Sequence, residues 1–304
     1  MLKWQLRVQK KAKKSKPVCY SIYWIVKNNM NRKEAYELGI KTLTEAGIEE
    51  AKSDTLLLMD AICHVSRNDI LVHGEVELEE GFVSAYQDAL QKRCTHIPVQ
   101  HITGVQNFMG LDFCVNEHVL IPRFDTEILV EEVMKELHDG FSILDMCTGS
   151  GCILLSLLKY SNNCVGVGVD ISTEALAVAK KNGEKLGMEA TFVESNLFEQ
   201  ITGKYDIIVS NPPYIKSDVI STLMEEVRCH EPILALDGTE DGLFFYRRIV
   251  EESPAYLNGG GMLFFEIGYD QGEAVKGLME EKGFKDVKVV KDYAGLDRVV
   301  FGHI

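Results

Sequence analysis

At 304 residues and 34.1 kDa the chain is long enough for two domains. With 46% hydrophobic and 26% charged residues it has ample apolar material for packed cores, which excludes wholesale disorder. The formal charge is −14, yet residues 1–29 hold eight bases and no acid, which leaves residues 30–304 at −22, the total less those eight. A body that acidic repels phosphate backbones, so bulk nucleic-acid binding is disfavoured.

The basic extension at 1–29 contains a short apolar run, Ser21–Val26, far below the roughly 20 residues that span a bilayer. No small-residue cleavage site follows it, so no membrane segment is expected. The extension reads as either a disordered tail or an upstream misassigned start, because Met30 opens a well-formed helix signal. Asn31 followed by Glu34 has the spacing of a capping box, and Ala35, Leu38, Thr42 and Ala46 recur at helical period. Ala51, Thr55, Leu58, Met59 and Ile62 predict a second helix, and Phe82, Val83, Tyr86, Ala89 and Leu90 another. A short helical turn is expected near Arg67–Leu71, so residues 30–95 read as a small all-helical domain.

Over 96–120 the pattern changes to β-type runs, Gln100–Thr103 and Leu111–Val115, separated by Gly104 and Gly110, which predicts a β-hairpin linking two domains. Residues 121–304 then alternate short apolar runs with amphipathic helices, the signature of β-α-β units around a mostly parallel sheet. Strands are predicted at Phe141–Met146, Val165–Val169, Ala190–Val193, Asp206–Ser210, Gly261–Ile267, Val287–Val290 and Arg298–Phe301. Helices are predicted near 150–160, 173–186, 240–257 and 270–282. The last two strands are joined too closely for a helical crossover and should pair antiparallel. The expected fold is α/β, a seven-stranded mostly parallel sheet with a helical N-terminal domain.

Two segments in this sheet could carry chemistry. Ile143–Gly151 runs from a strand through Thr148-Gly149-Ser150-Gly151 into a helix, and glycines there admit close approach of a ligand to the backbone. A dinucleotide fingerprint would place a third glycine at 154, but Leu154 stands there, which favours a smaller nucleoside ligand over a pyrophosphate. About 20 residues on, Asp170 ends the next strand, where its carboxylate can accept both ribose hydroxyls. Such a turn alone is also an ordinary strand-to-helix connection; Asp170 at this distance points to an adenosyl ligand.

The second segment, Asn211-Pro212-Pro213-Tyr214, follows the strand ending at Ser210. Two prolines stiffen the turn and leave its carbonyls free as acceptors, Asn211 adds a side-chain acceptor, and Tyr214 adds an aromatic face. A planar group bearing an NH2 suits that set. The eight cysteines include no C-x-x-C pair, and the eight histidines no H-E-x-x-H, so reduced thiols, a cytoplasmic setting and no metal are expected.

Together these segments resemble class I S-adenosylmethionine-dependent methyltransferases that modify planar amides or exocyclic amines. Leu120–Glu127, His230–Gly238, Glu266–Gly272 and Asp292–Val300 narrow the likeness to the family that methylates the glutamine of the Gly-Gly-Gln loop in peptide-chain release factors. The resemblance covers about residues 31–304 and implies a Rossmann-like class I methyltransferase domain over 121–304. It further implies a substrate-recognition role for 30–95 and S-adenosylmethionine as cofactor, held by Thr148, Gly149, Ser150, Gly151, Asp170 and Asn211. Class 1 release factors are the implied partners, with no membrane and no direct nucleic acid. The resemblance makes Asn211, Pro212 and Tyr214 catalytic: the Asn211 side-chain oxygen and the Pro212 carbonyl hold the two amide protons by hydrogen bonds while Tyr214 packs on the flat group, with Pro213 also at the substrate.

The chain departs from the family pattern at Cys147 (usually Gly), Phe124 (Pro), Asn196 (often an acid) and Leu296 (Arg). Alternatives are a ribosomal-protein glutamine as substrate, amino-methylation of a base in RNA or DNA, or a binding module that has lost turnover. Finally, Arg123–Glu127, at the entry to a helix, is expected to help close the pocket.

Overall fold

The computed structural model describes residues 29–304, so the basic extension lies outside the described residues apart from Asn29. The chain divides into two compact units, with the boundary between Gly104 and Val105. In the smaller unit, α1 (Arg32–Glu45) opens with the expected capping box. Asn31 Oδ1 accepts from the Glu34 amide at 2.8 Å, and Glu34 accepts from the Asn31 amide at 3.4 Å. It packs with α2 (Ala51–Cys63), α3 (Arg67–Val72) and α4 (Glu80–Cys94) around Ala35, Leu43, Leu58, Met59, Tyr86 and Leu90. The buried Arg93 Nε is 2.7 Å from Asp54 Oδ2, so that each charge desolvated by the bundle has a partner.

The strand expected at 100–103 is instead a helix, α5 (Val99–Thr103). The Pro98 carbonyl accepts from His101 and Ile102, and Gly104 closes the turn at φ 75°. Over five residues the strand and helix periods are indistinguishable, and the Pro and Gly boundaries decide.

The larger unit starts with the hairpin β1 (Val105–Phe108) and β2 (Leu111–Cys114), so the segment expected as a separate linker is part of this unit from Val105 onward. Met109 and Gly110, at φ 51° and 70°, form the two-residue turn whose twist matches its strands. After α6 (Phe124–Glu136) come β3 (Ser142–Met146), α7 (Cys152–Tyr160), β4 (Val165–Asp170), α8 (Thr173–Leu186), β5 (Thr191–Glu194) and β6 (Tyr205–Ser210). The short helices α9 (Ser217–Ile220) and α10 (Glu225–His230) precede α11 (Phe244–Glu252), β7 (Leu257–Glu266), α12 (Gly272–Lys282), β8 (Lys285–Lys291) and β9 (Asp297–His303).

The seven-stranded sheet has the order β5-β4-β3-β6-β7-β9-β8. β9 runs antiparallel to both neighbours and all other pairs are parallel, in the predicted mostly parallel arrangement. Both faces are buried, which explains the near-continuous apolar runs in the central strands. Ile143, Ile207, Val209, Phe264 and Val299 belong to one core, and Leu144, Ile208, Phe265 and Val300 to the other. The chain leaves β3 for β4 on one side and later returns to β6 on the other. This topology opens a crevice beyond the carboxyl ends of β3, β4 and β6. No helix of the described residues is long and apolar enough to cross a membrane.

Candidate active site

The crevice holds a cavity of about 350 Å³. Its floor is the turn after β3, in which Cys147, Gly149 and Gly151 take φ of 62°, 54° and 77°. At Gly149 an added Cβ would meet no atom within 4 Å, so open space lies directly over the backbone. The turn is held from several sides. The Thr148 amide donates to the Val169 carbonyl at 2.8 Å and its hydroxyl to Asp145 Oδ2 at 2.6 Å. The Ser150 carbonyl accepts from Asn182 Nδ2 at 2.9 Å.

Asp170 ends β4 beside this turn. Its Oδ2 accepts from the Gly149 amide and its Oδ1 from the Ser172 amide, each at 2.9 Å, which holds the carboxylate at the cavity wall. Burial raises its pKa, opposed by the backbone N–H groups of Ser172, Gly149 and Ile171. Beneath the turn, Asp145 is fully buried, and burial, opposed by the Thr148 hydroxyl and the Leu154 amide, pushes its carboxyl up to about 7. Burial also lifts the Cys147 thiol, and that of Cys152 to about 12, so neither is a thiolate near neutrality.

On the other side of the cavity β6 runs into Asn211–Tyr214. The Ser210 hydroxyl donates to the Met146 carbonyl at 2.6 Å, tying the ends of β6 and β3 together. Asn211 Nδ2 lies 3.4 Å from Thr126 Oγ1, on α6. The Tyr214 hydroxyl donates to Glu266 Oε1 at 3.2 Å, and the Tyr214 carbonyl accepts from Gln271 Nε2 at 3.1 Å. Gly238 packs so closely on this turn that a Cβ there would stand 2.6 Å from Tyr214 Cα.

Of the sequence-predicted residues, Thr148, Gly149, Ser150, Asp170, Asn211 and Pro213 line the one cavity. Gly151 caps α7, and Pro212 and Tyr214 stand in the turn without lining the cavity. In the segment expected to close the pocket, Arg123 does line the cavity. Its Nη2 lies 2.6 and 2.7 Å from the two oxygens of the buried Glu231, joining the entry of α6 to the end of α10. Glu127 does other work, accepting from the Met109 amide of the hairpin at 2.6 Å. Asn196 reaches the cavity edge, where Arg248 donates to its Oδ1 at 3.0 Å.

Sequence reasoning missed Thr126 and the apolar wall of Leu197, Phe244 and Phe245, which line the cavity, and Glu266, which accepts from the Tyr214 hydroxyl. Thr126 and Glu266 lie inside segments that carried the family likeness, but nothing in their spacing gave them a role.

Residues 34–104 match the family model described as PrmC N-terminal domain, and residues 123–231 the one described as methyltransferase small domain. A release factor glutamine methyltransferase of Geobacter sulfurreducens is 42% identical over 263 residues, covering 86% of this chain and 93% of its own length. Another from Clostridium acetobutylicum is 40% identical over 278 residues, covering 89% and 98%. The solved structure of a release factor-specific protein-(glutamine-N5) methyltransferase from Alicyclobacillus acidocaldarius is 30% identical. It covers 60% of this chain and 93% of its own, with a TM-score of 0.38.

Proposed function

The chain belongs to the release factor glutamine methyltransferase family, and we propose that it methylates the side-chain amide nitrogen of the glutamine in the Gly-Gly-Gln motif of class 1 release factors, using S-adenosylmethionine. The observation that carries this reading is that the Asp170-braced glycine turn and Asn211 open onto the same cavity.

The residues present fit the cofactor. Asp170 offers its carboxylate at the cavity wall to the ribose hydroxyls, and the open space over Gly149 admits a ligand against the Thr148–Gly151 backbone. Thr148, Gly149, Ser150, Gly151, Asp170 and Asn211 would hold it. When bound, S-adenosylmethionine supplies an electrophilic methyl group.

An amide nitrogen is a poor nucleophile because its lone pair is delocalised into the carbonyl. Acceptors aimed at its two hydrogens fix its direction and favour the localised form. Asn211 Oδ1 and the Pro212 carbonyl are those acceptors; among the described residues no donor already occupies the Pro212 carbonyl. Pro213 provides the cavity wall beside the flat group, and Tyr214, anchored through its hydroxyl to Glu266, completes the turn. Such alignment is worth several kcal/mol of the barrier. The methylated nitrogen, cationic because it still carries both its hydrogens, then loses one of them as a proton to water.

Residues 30–95 recognise the protein partner in this reading, and the −22 charge of residues 30–304 argues against a nucleic-acid substrate. The seven described cysteines are all free thiols, in keeping with a cytoplasmic setting.

The test incubates the protein with S-adenosylmethionine and an unmodified release factor and sequences the Gly-Gly-Gln peptide by mass spectrometry. One added methyl on that glutamine is expected. Asn211→Ala should lower turnover by about 100-fold or more while still binding cofactor in calorimetry, because it removes an acceptor needed mainly in the aligned complex. No transfer by a protein that binds cofactor would overturn the substrate assignment, and unchanged turnover in Asn211→Ala would overturn the mechanism.

A further inference from the structure

Pro212 and Pro213 carry no N–H, so the turn they form cannot be tied down by its own backbone donors there and has to be held through its carbonyls and its neighbours. The neighbour that grips it is Gln271, at the entry of α12, 6% exposed and outside the cavity lining. Gln271 Nε2 donates to the Tyr214 carbonyl at 3.1 Å and to the Gly242 carbonyl at 3.2 Å, and its Oε1 accepts from the Gly268 amide at 2.9 Å.

The orientation of this side-chain amide is decided at both ends. The Gly268 N–H can only donate, so it takes the oxygen, and the two carbonyls can only accept, so they take the NH2. Two buried carbonyl oxygens that approach each other need a donor apiece, and one primary amide supplies both. The packing matches: a Cβ on Gly242 would stand 2.4 Å from the Tyr214 oxygen and 2.8 Å from Gln271 Nε2, so the bare backbone closes around the amide. The Tyr246 hydroxyl, which donates to the Glu266 carbonyl at 2.9 Å, lies 3.4 Å from Gln271 Oε1 and completes a buried polar enclosure.

With φ locked at both prolines, the direction of the Pro212 carbonyl is set by where the chain is held before and after it. The Ser210 hydroxyl holds the strand end and Gln271 holds the carbonyl two residues beyond Pro212. We propose that Gln271 is a positioning residue that, by gripping the Tyr214 carbonyl, fixes the Pro212 carbonyl in the direction that accepts the substrate NH2. The inference rests on the proposed glutamine methylation and adds to it the origin of that acceptor's direction.

The test uses Gln271→Met, which keeps the length and removes both ends of the amide, and Gln271→Glu, which keeps the acceptor for Gly268 and, ionised in assays at alkaline pH, loses the donors. Each should lower kcat by about 10- to 100-fold, the scale of losing alignment at a reacting centre. The Kd for S-adenosylmethionine and the KM for the release factor should stay within about threefold of the parent, because the grip acts on the reacting geometry and not on docking. An undiminished kcat in Gln271→Met, or a fall in cofactor affinity as large as the fall in kcat in both variants, would overturn the inference.

The grip can also be read without turnover. Tyr214-Ile215 is the only Tyr-Ile pair in the chain, so protein labelled with 13C-carbonyl tyrosine and 15N-isoleucine shows a single carbonyl-coupled amide, that of Ile215. The Tyr214 carbonyl carbon, deshielded by the hydrogen bond it accepts, should move upfield in Gln271→Met. An unmoved resonance would overturn the inference even if the rate fell. The shift seen in a protein whose parent transfers no methyl to the release factor would support the grip on the turn and count against the proposed substrate alone.

Discussion

Cys147 occupies a backbone conformation, φ 62°, that costs an L-residue about 1 kcal/mol or more. Its thiol is kept protonated by burial, so the residue is a small apolar filler in a glycine's place. Cys147→Gly should therefore leave cofactor affinity within about threefold in calorimetry, since relief of strain and loss of packing are each near 1 kcal/mol. Cys147→Val puts a β-branched side chain where it fits worst and should lose about 2 kcal/mol or more in urea unfolding. A strongly tightened cofactor in Cys147→Gly would show that strain at this turn limits binding. Asp145 supplies a pH dependence of definite sign. Its folded pKa, about 7, lies above the ordinary aspartate value of 3.8, so between these values the folded state holds more proton than the unfolded chain and stability falls as pH rises. Asp145→Asn cannot lose that proton, and its stability relative to the parent should grow between pH 5 and pH 8, by at most about 3 kcal/mol. A pH-independent difference would refute the buried titration. At this scale the sequence was legible where chemistry is local. Asp170 and the glycine turn follow from a strand-turn-helix spacing, whereas the Asn211–Thr126 contact joins residues 85 apart and depends on the sheet order.

The β3–α7 turn owes its shape to a neighbouring element as much as to its own glycines. Asn182, fully buried on α8, donates to the carbonyls of Cys114 and Ser150 at 3.0 and 2.9 Å and accepts from the Cys114 amide at 2.7 Å. One side chain thus joins the hairpin, the helix and the β3–α7 turn. Asn182→Ala leaves three buried backbone groups short of a partner and should cost about 2–4 kcal/mol in denaturant unfolding. By freeing the Ser150 carbonyl it should also weaken cofactor binding about tenfold, measured by calorimetry at a temperature where the variant is folded. Lost stability with unchanged affinity would confine Asn182 to a packing role. Such a link is invisible in sequence because a buried asparagine on an amphipathic helix reads as an ordinary polar interruption. The strands themselves were legible, since apolar runs of Ile, Leu, Val and Phe separated by helical periods admit little else. The error at 100–103 came from the opposite situation, a run too short to show a period between Pro98 and Gly104. The antiparallel final pair was legible from its short connection, which Asp292 secures by accepting from the Ala294 and Leu296 amides. That β9 also inserts beside β7 was not, because a hairpin can join a sheet edge by either of its strands.

Each of the two units encloses apolar clusters made wholly of its own residues, Met30–Ile102 in one and Phe108–Ile304 in the other. A unit with its own core can fold alone, and 200 residues bury a large enough share of their surface to be stable. Every residue lining the candidate site, from His118 to Arg248, lies in the larger unit. These two facts make binding of the cofactor and recognition of the partner separately testable. A fragment comprising residues 105–304 should fold cooperatively in urea and bind S-adenosylmethionine with a Kd within about threefold of the full chain. If residues 30–95 recognise the release factor, the same fragment should show a KM for that protein raised by about tenfold or more, with smaller loss in kcat, because the missing contacts are uniform binding with no part in the transition state. An unchanged KM would remove the recognition role from the helical unit and move it onto the hairpin and the cavity rim. A fragment that folds but no longer binds cofactor would instead show that the site depends on the helical unit, although none of its lining residues comes from there.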